Sequence, residues 1–147
     1  MAIAGALADE AAGEIAVFNR SMERSEGLRR RFGHRLVPYH WSERNTGLNE
    51  CTLLINTTSL GMTGQPPLVI DLETLPASAT VADIIYAPLV TPFLQHARDR
   101  GHPVVSGLGM LLHQAVRGFE LWFGARPVVT DELYDMVARD IDPGYIR

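Results

Sequence analysis

The chain has 147 residues, which suits one domain whose core buries roughly 70% of the surface the unfolded chain exposes. Apolar residues make up 46% and charged residues 20%, which excludes a disordered chain, and no run approaches the ~20 apolar residues of a membrane span. All 13 basic residues are arginines against 17 acids, so the net charge of −4 gives no support for nucleic-acid binding.

Ala2–Asp9 is alanine-rich and helical in propensity, with no cap or turn before it. Residues 14–18 read as a buried strand, and residues 21–32 as a helix that Gly33 stops. Residues 35–38 form a short strand candidate, and residues 52–56 a clearer one, followed by a polar Gly/Pro-rich loop over 57–67. Residues 80–86 read as another strand, closed by Pro88. A helix over about 91–100 ends at Gly101, and residues 102–105 form a last short strand. Gly107–Phe123 is a long helix with apolar positions 108, 111, 112, 115, 119 and 122 at helical spacing, and Ser106 is placed to cap it. Gly124 and Pro127 end that helix, and a final one covers about 131–139. No repeat, low-complexity tract or linker divides the chain, so residues 1–147 read as one domain.

Apolar strands separated by helices imply an α/β fold with a mostly parallel sheet covered on both faces, a three-layer arrangement. Ligands of such sheets bind beyond the carboxyl ends of the strands. Four polar segments sit there: Asn19-Arg20-Ser21, Asn56-Thr57-Thr58-Ser59, Tyr86-Ala87-Pro88 and Ser106-Gly107. The first opens a helix, where free N–H groups and the dipole favour an anion. Arginine after the second strand of a dinucleotide fold accommodates the 2′-phosphate of NADP, and Arg20 and Arg24 lie one turn apart around Ser21. A capped helix bearing surface arginines explains the same residues equally well. Seven arginines fall within residues 20–44 among only three acids, and a solvated helix face accounts for Arg29, Arg30 and Arg31. On the long helix, Gly107 and Gly109 allow close approach to the backbone, while Met110 and Gln114 share a half-buried face where the Gln needs a partner.

These segments, taken together, resemble the shikimate dehydrogenase family, specifically its C-terminal NADP-binding half. They are Asn19-Arg20-Ser21 with Arg24, Ile55-Asn56-Thr57-Thr58-Ser59-Leu60-Gly61-Met62, and Asp83-Ile84-Ile85-Tyr86-Ala87-Pro88 with Thr91-Pro92. The fourth is Gly107-Leu108-Gly109-Met110-Leu111-Leu112-His113-Gln114-Ala115, completed by Phe119, Trp122 and Gly124. The Asn-Arg-Ser segment is similar in related Rossmann enzymes, whereas residues 107–115 with Tyr86 are specific. The resemblance runs over about residues 2–140.

The resemblance implies reversible hydride transfer between NADP(H) and the 3-keto or 3-hydroxy carbon of dehydroshikimate or shikimate, in aromatic amino-acid biosynthesis. It implies that Asn19, Arg20, Ser21 and Arg24 hold the adenosine 2′-phosphate. Thr57, Thr58 and Ser59 would run along the nicotinamide side, with Ile84, Gly107 and Met110 against the nicotinamide itself. Tyr86 and Gln114 would touch the substrate. The family's N-terminal substrate domain, with its catalytic Lys and Asp, has no counterpart here, and neither do the first Rossmann strand and its glycine-rich loop. Residues 2–7 resemble the helix that follows that loop. The expectation is a Rossmann-like sheet lacking its first strand, a fragment inactive alone. The alternative is a non-catalytic remnant acting as a nucleotide-binding or interaction module. In the strand order 3-2-1-4-5-6 the absent strand is central, so the strands near 14–18 and 52–56 keep unpaired edges that direct pairing, detachment or a second copy would resolve. Self-association is the expected outcome.

The remaining features add little. The five histidines show no metal-ligand spacing, Cys51 is alone, and His113 points about 100° away from Gln114 on the helix. The sequon at Asn56 is set aside because no secretory leader is evident, and a reduced cytoplasmic location is expected. Asp131, Glu132, Asp135, Asp140 and Asp142 read as a solvated acidic tail.

Overall fold

The alanine-rich start does form a helix, α1 (Ala2–Asp9), in a computed structural model that describes residues 1–10 and 13–146. Strand β1 (Ile15–Asn19), helix α2 (Met22–Phe32) and strand β2 (Leu36–His40) follow, with β1 and β2 parallel and Phe18 opposite Tyr39. Those two rings stack with centroids 5.1 Å apart, so register and aromatic packing agree. Ser21 caps α2 by accepting from the Arg24 N–H, and Gly33 ends it at φ +96°, a conformation that favours glycine. Pro38 sits opposite Val17 in β2, a strand whose other edge carries no partner among the described residues. These elements form a first unit, Met1–Thr46. In it β1 is half-buried rather than buried, and Leu36 is its fully enclosed apolar residue.

The second unit, Gly47–Arg147, is built on a three-stranded parallel sheet. Its strands are β3 (Leu53–Asn56), β4 (Thr80–Asp83) and β5 (Val104–Val105), in the order β3-β4-β5. Residues 57–79 contain no helix, yet they bury Leu68, Ile70, Leu72 and Leu75, so this connection supplies core that a crossover helix ordinarily supplies. Helix α3 (Pro92–Asp99) joins β4 to β5. Thr91 caps it, Pro92 occupies its first turn, and Phe93, Leu94 and Ala97 are buried. Helix α4 (Gly107–Phe123) and helix α5 (Asp131–Ile141) share a cluster in which Leu89, Leu108 and Ala138 are buried with Leu111, Leu112, Tyr134 and Val137 around them. The α/β class and the parallel pairing match the expectation.

Three element readings change. Strand β4 stops at Asp83, because the chain leaves the ladder at Ile85, whose N–H donates to the Asp83 carboxylate and whose C=O accepts from Gly107. Strand β5 is two residues long, because His102 N–H returns to the Ala97 carbonyl of α3 and Pro103 has no N–H. The apolar stripe of α4 is covered only over its first half. Leu108 is enclosed, but Ala115 is exposed, and Phe119 and Trp122 are 43% and 80% exposed, because α5 reaches only the first turns. Short 3₁₀ turns at Trp41–Glu43 and Leu48–Glu50 carried no recognisable signal.

Candidate functional site

Since β3, β4 and β5 are parallel, their carboxyl ends share one edge of the sheet, and the loops leaving them gather there. A buried polar cluster underlies this edge. Asp83, 3% exposed, accepts three hydrogen bonds: from Asn56 Nδ2 at 3.1 Å, from Ile85 N–H at 3.0 Å and from the Thr91 hydroxyl at 2.8 Å. Asn56, equally buried, accepts from the N–H and hydroxyl of Thr58 at 2.9 and 2.8 Å and donates to the Leu60 carbonyl at 3.1 Å. The Thr58 hydroxyl in turn accepts from Leu60 N–H. Gly61 follows at φ +98° against Thr91, a position that a side chain adopts only with strain.

The next residues are clamped to the start of α4. Ile84 N–H donates to the Asn56 carbonyl, and Ile85 C=O accepts from Gly107 N–H at 3.1 Å. Gly107 is buried so tightly here that a Cβ would overlap the backbone of Ile84 and Ile85. Ile84 is therefore half-buried at a rigid junction, while Tyr86 projects outward, 41% exposed, beside the cis Ala87–Pro88 peptide. Thr63 donates from both N–H and hydroxyl to the Ala87 carbonyl, tying the loop after β3 to the loop after β4.

Two expectations about α4 are corrected. Ser106 occupies the cap position, but its hydroxyl lies 3.2 Å from the Tyr134 hydroxyl and makes no cap bond, because α5 supplies a nearer polar partner. Gln114 is exposed rather than half-buried, and Met110 on the same face is 39% exposed, so the amide faces solvent and no internal partner is required. Gly109 has nothing within 4 Å of where a Cβ would sit, leaving that backbone open to close approach. Thr57 and Ser59 are exposed and Thr58 half-buried.

In the first unit the Asn19 side chain accepts from Ser21 N–H at 3.1 Å, and this turn leads into the capped first turn of α2. Arg20 and Arg24 are exposed there, and neither has an ion-pair partner among the described residues. Two free guanidinium groups beside a helix N-terminus fit a phosphate group. Arg29 to Arg31 are exposed as expected, with Arg29 3.8 Å from Glu26.

Elsewhere, burial pushes the Cys51 thiol above its ordinary range, with a hydrogen bond from the Leu53 backbone pulling the other way. Among the described residues no group of His, Cys, Asp or Glu gathers to hold a metal ion, and no helix is long and apolar enough to cross a membrane. Asp135 is half-buried on α5, so the acidic tail is not uniformly solvated. Asn56, Asp83 and Thr91 stand in the segments that carry the resemblance, without a role of their own there. An Asn and an Asp closing two neighbouring strands, with a Thr capping the next helix, was the signal available.

Residues 107–129 match the family pattern described as Shikimate 5′-dehydrogenase C-terminal domain. The shikimate dehydrogenase (NADP(+)) of Rhodopseudomonas palustris strain CGA009 is 58% identical over 129 residues, covering 88% of this chain and 46% of that protein. The chain thus spans about half the length of the curated relatives it matches, their C-terminal half. Among solved structures, quinate dehydrogenase from Corynebacterium glutamicum in complex with NAD superposes with a TM-score of 0.83 at 25% identity, covering 92% of this chain and 50% of that one. Shikimate 5-dehydrogenase from Thermus thermophilus, in complex with NADP(H) and shikimate, superposes with a TM-score of 0.70 at 31% identity, covering 90% and 48%.

Proposed function

Because this chain belongs with the C-terminal half of the shikimate dehydrogenase family, we propose that it serves NADP-dependent interconversion of shikimate and 3-dehydroshikimate as the cofactor-binding part of that enzyme. When bound, NADP supplies the hydride acceptor. Arg20 and Arg24, with Asn19 and Ser21 shaping the turn, bind the adenosine 2′-phosphate through charge-assisted hydrogen bonds. Thr57, Thr58 and Ser59 border the nicotinamide side, Ile84 and Met110 offer apolar contact to the ring, and the Gly107 backbone meets its carboxamide. Tyr86 and Gln114, both exposed, donate to or accept from the hydroxyl groups of the substrate. The chain has no lysine, so the lysine that the family resemblance assigns to proton transfer is not among these residues.

The observation that supports this reading best is the Gly107 junction. It holds the start of α4 against the backbone of Ile84 and Ile85, so that the groups assigned to the ring, from the loop after β4 and from α4, share one rigid piece. The setting is cytoplasmic, and a second copy of the chain is the partner that satisfies the unpaired strand edges.

Titration calorimetry of the 147-residue chain tests the cofactor assignment. NADP is expected to bind more tightly than NAD, and Arg20→Ala is expected to remove most of that difference, about tenfold or more for a charged hydrogen bond. Equal affinity for the two cofactors, or no change with Arg20→Ala, would refute it. The isolated chain is expected to show no shikimate oxidation, since positioned proton transfer alone contributes ~10² to 10⁴-fold.

A further inference from the structure

Asp83, Asn56 and Thr91 are each at most 3% exposed, so none of them reaches a ligand. Apolar side chains of similar shape would fill the same space without the desolvation cost of a buried carboxylate, an amide and a hydroxyl. What apolar residues could not do is fix backbone amides. Ile85 N–H is held by Asp83 Oδ1 and Thr58 N–H by Asn56 Oδ1, while Asn56 is itself held by its Nδ2 donating to Asp83 Oδ1. Oδ2 of Asp83 takes the Thr91 hydroxyl, whose oxygen also accepts from Leu94 N–H and so ties the cluster to α3. One carboxylate thereby governs the loop after β3, the loop after β4 and the start of α3. All three of its partners are donors, which suits a group that only accepts.

We propose that Asp83 is a positioning residue of this site, acting through Asn56 on the loop at 57–60 and directly through Ile85 N–H on the loop at 84–86, with Thr91 anchoring it to α3, to set both loops for the nicotinamide end of the cofactor. The proposal rests on the NADP reading above. Its contribution is to geometry: a fully satisfied buried network holds a single arrangement of the loops above it. Residues 19–24 lie outside this network, so an altered Asp83 leaves the phosphate-binding turn as it was.

The test uses the 147-residue chain with Asp83→Ala, the isosteric Asp83→Asn, and Thr91→Val. Hydrogen exchange is followed at the amides of Thr58, Leu60 and Ile85, and NADP and adenosine 2′,5′-bisphosphate are titrated separately. Asp83→Ala is expected to speed exchange at those three amides and to weaken NADP by about tenfold, the scale of a lost hydrogen bond to a charged group. The bisphosphate, which has no nicotinamide, should bind as before. Asp83→Asn should fall between, because it keeps the shape but presents a donor where only an acceptor fits. Should Asp83→Ala fail to fold, the Asn and Val variants carry the comparison. Unchanged exchange at the three amides overturns the proposal, and so does equal weakening of NADP and the bisphosphate. If the unaltered chain binds neither nucleotide, the NADP reading fails and the exchange data alone decide whether Asp83 sets the loops.

Discussion

Gly107 and Gly109 are two residues apart at the start of α4, and the structure gives them opposite roles. A methyl group at Gly107 would have to share space with the backbone of Ile84 and Ile85, which cannot yield as a side-chain tip can. Gly107→Ala is therefore expected to destabilise the chain by about 2–3 kcal/mol, the upper range for overpacking. Gly109 meets nothing within 4 Å, so Gly109→Ala should raise stability by roughly 0.5–1 kcal/mol through helix propensity. Urea unfolding of the two variants measures both signs at once. Equal effects would mean that the tight junction at Gly107 does not exist in solution. Composition and spacing could nominate both glycines; only the approach of a distant loop separates them.

At the scale of elements, the caps that the residue types suggest are largely made. Thr91 and Thr130 each accept a hydrogen bond from the amide three residues on, at 3.2 Å. Thr130 carries no further partner in the buried cluster, which makes it the cleaner test. Thr130→Ala is expected to lower stability by about 1 kcal/mol, a typical loss for a capping threonine, with α5 fraying first in circular dichroism. A variant as stable as the original would show that the cap contributes nothing there. Ser106 shows the limit of such reading, since its residue type suits a cap but α5 brings Tyr134 within reach of its hydroxyl. The last turns of α4 leave Leu121, Trp122 and Phe123 66% to 80% exposed beside the Arg117–Glu120 ion pair. Helical periodicity identified the helix but could not say how far along it the neighbouring element extends.

For the whole molecule, the consequential feature is the pair of parallel sheets, of two and three strands. β1 has β2 as its ladder partner and β3 has β4, so each keeps one edge without a ladder among the described residues. Unpaired N–H and C=O groups on strands that carry Val17, Phe18, Leu54 and Ile55 invite another strand. Self-association is therefore the expected behaviour in solution, and light scattering over a concentration series should show a mass above that of one 16.2 kDa chain. A constant monomer mass at high concentration would mean that other groups satisfy those edges.

The α/β class, the order of the elements and the four polar segments that follow strands were all legible in the residues. Those are properties of local pattern: periodicity, a capping residue, a glycine after a helix. The motif residues Asn19, Arg20, Tyr86, Gly107 and Gln114 were drawn together by the family resemblance, which assigns them their roles. What local pattern could not decide were quantities set between distant segments. Folding ended β4 at Asp83 because Ile85 has partners on two sides, left Gln114 in water, and buried Asn56, Asp83 and Thr91 as one network. A hydrogen bond such as that from Asn56 to Asp83, between residues 27 positions apart, exists only once the strands carrying them lie side by side.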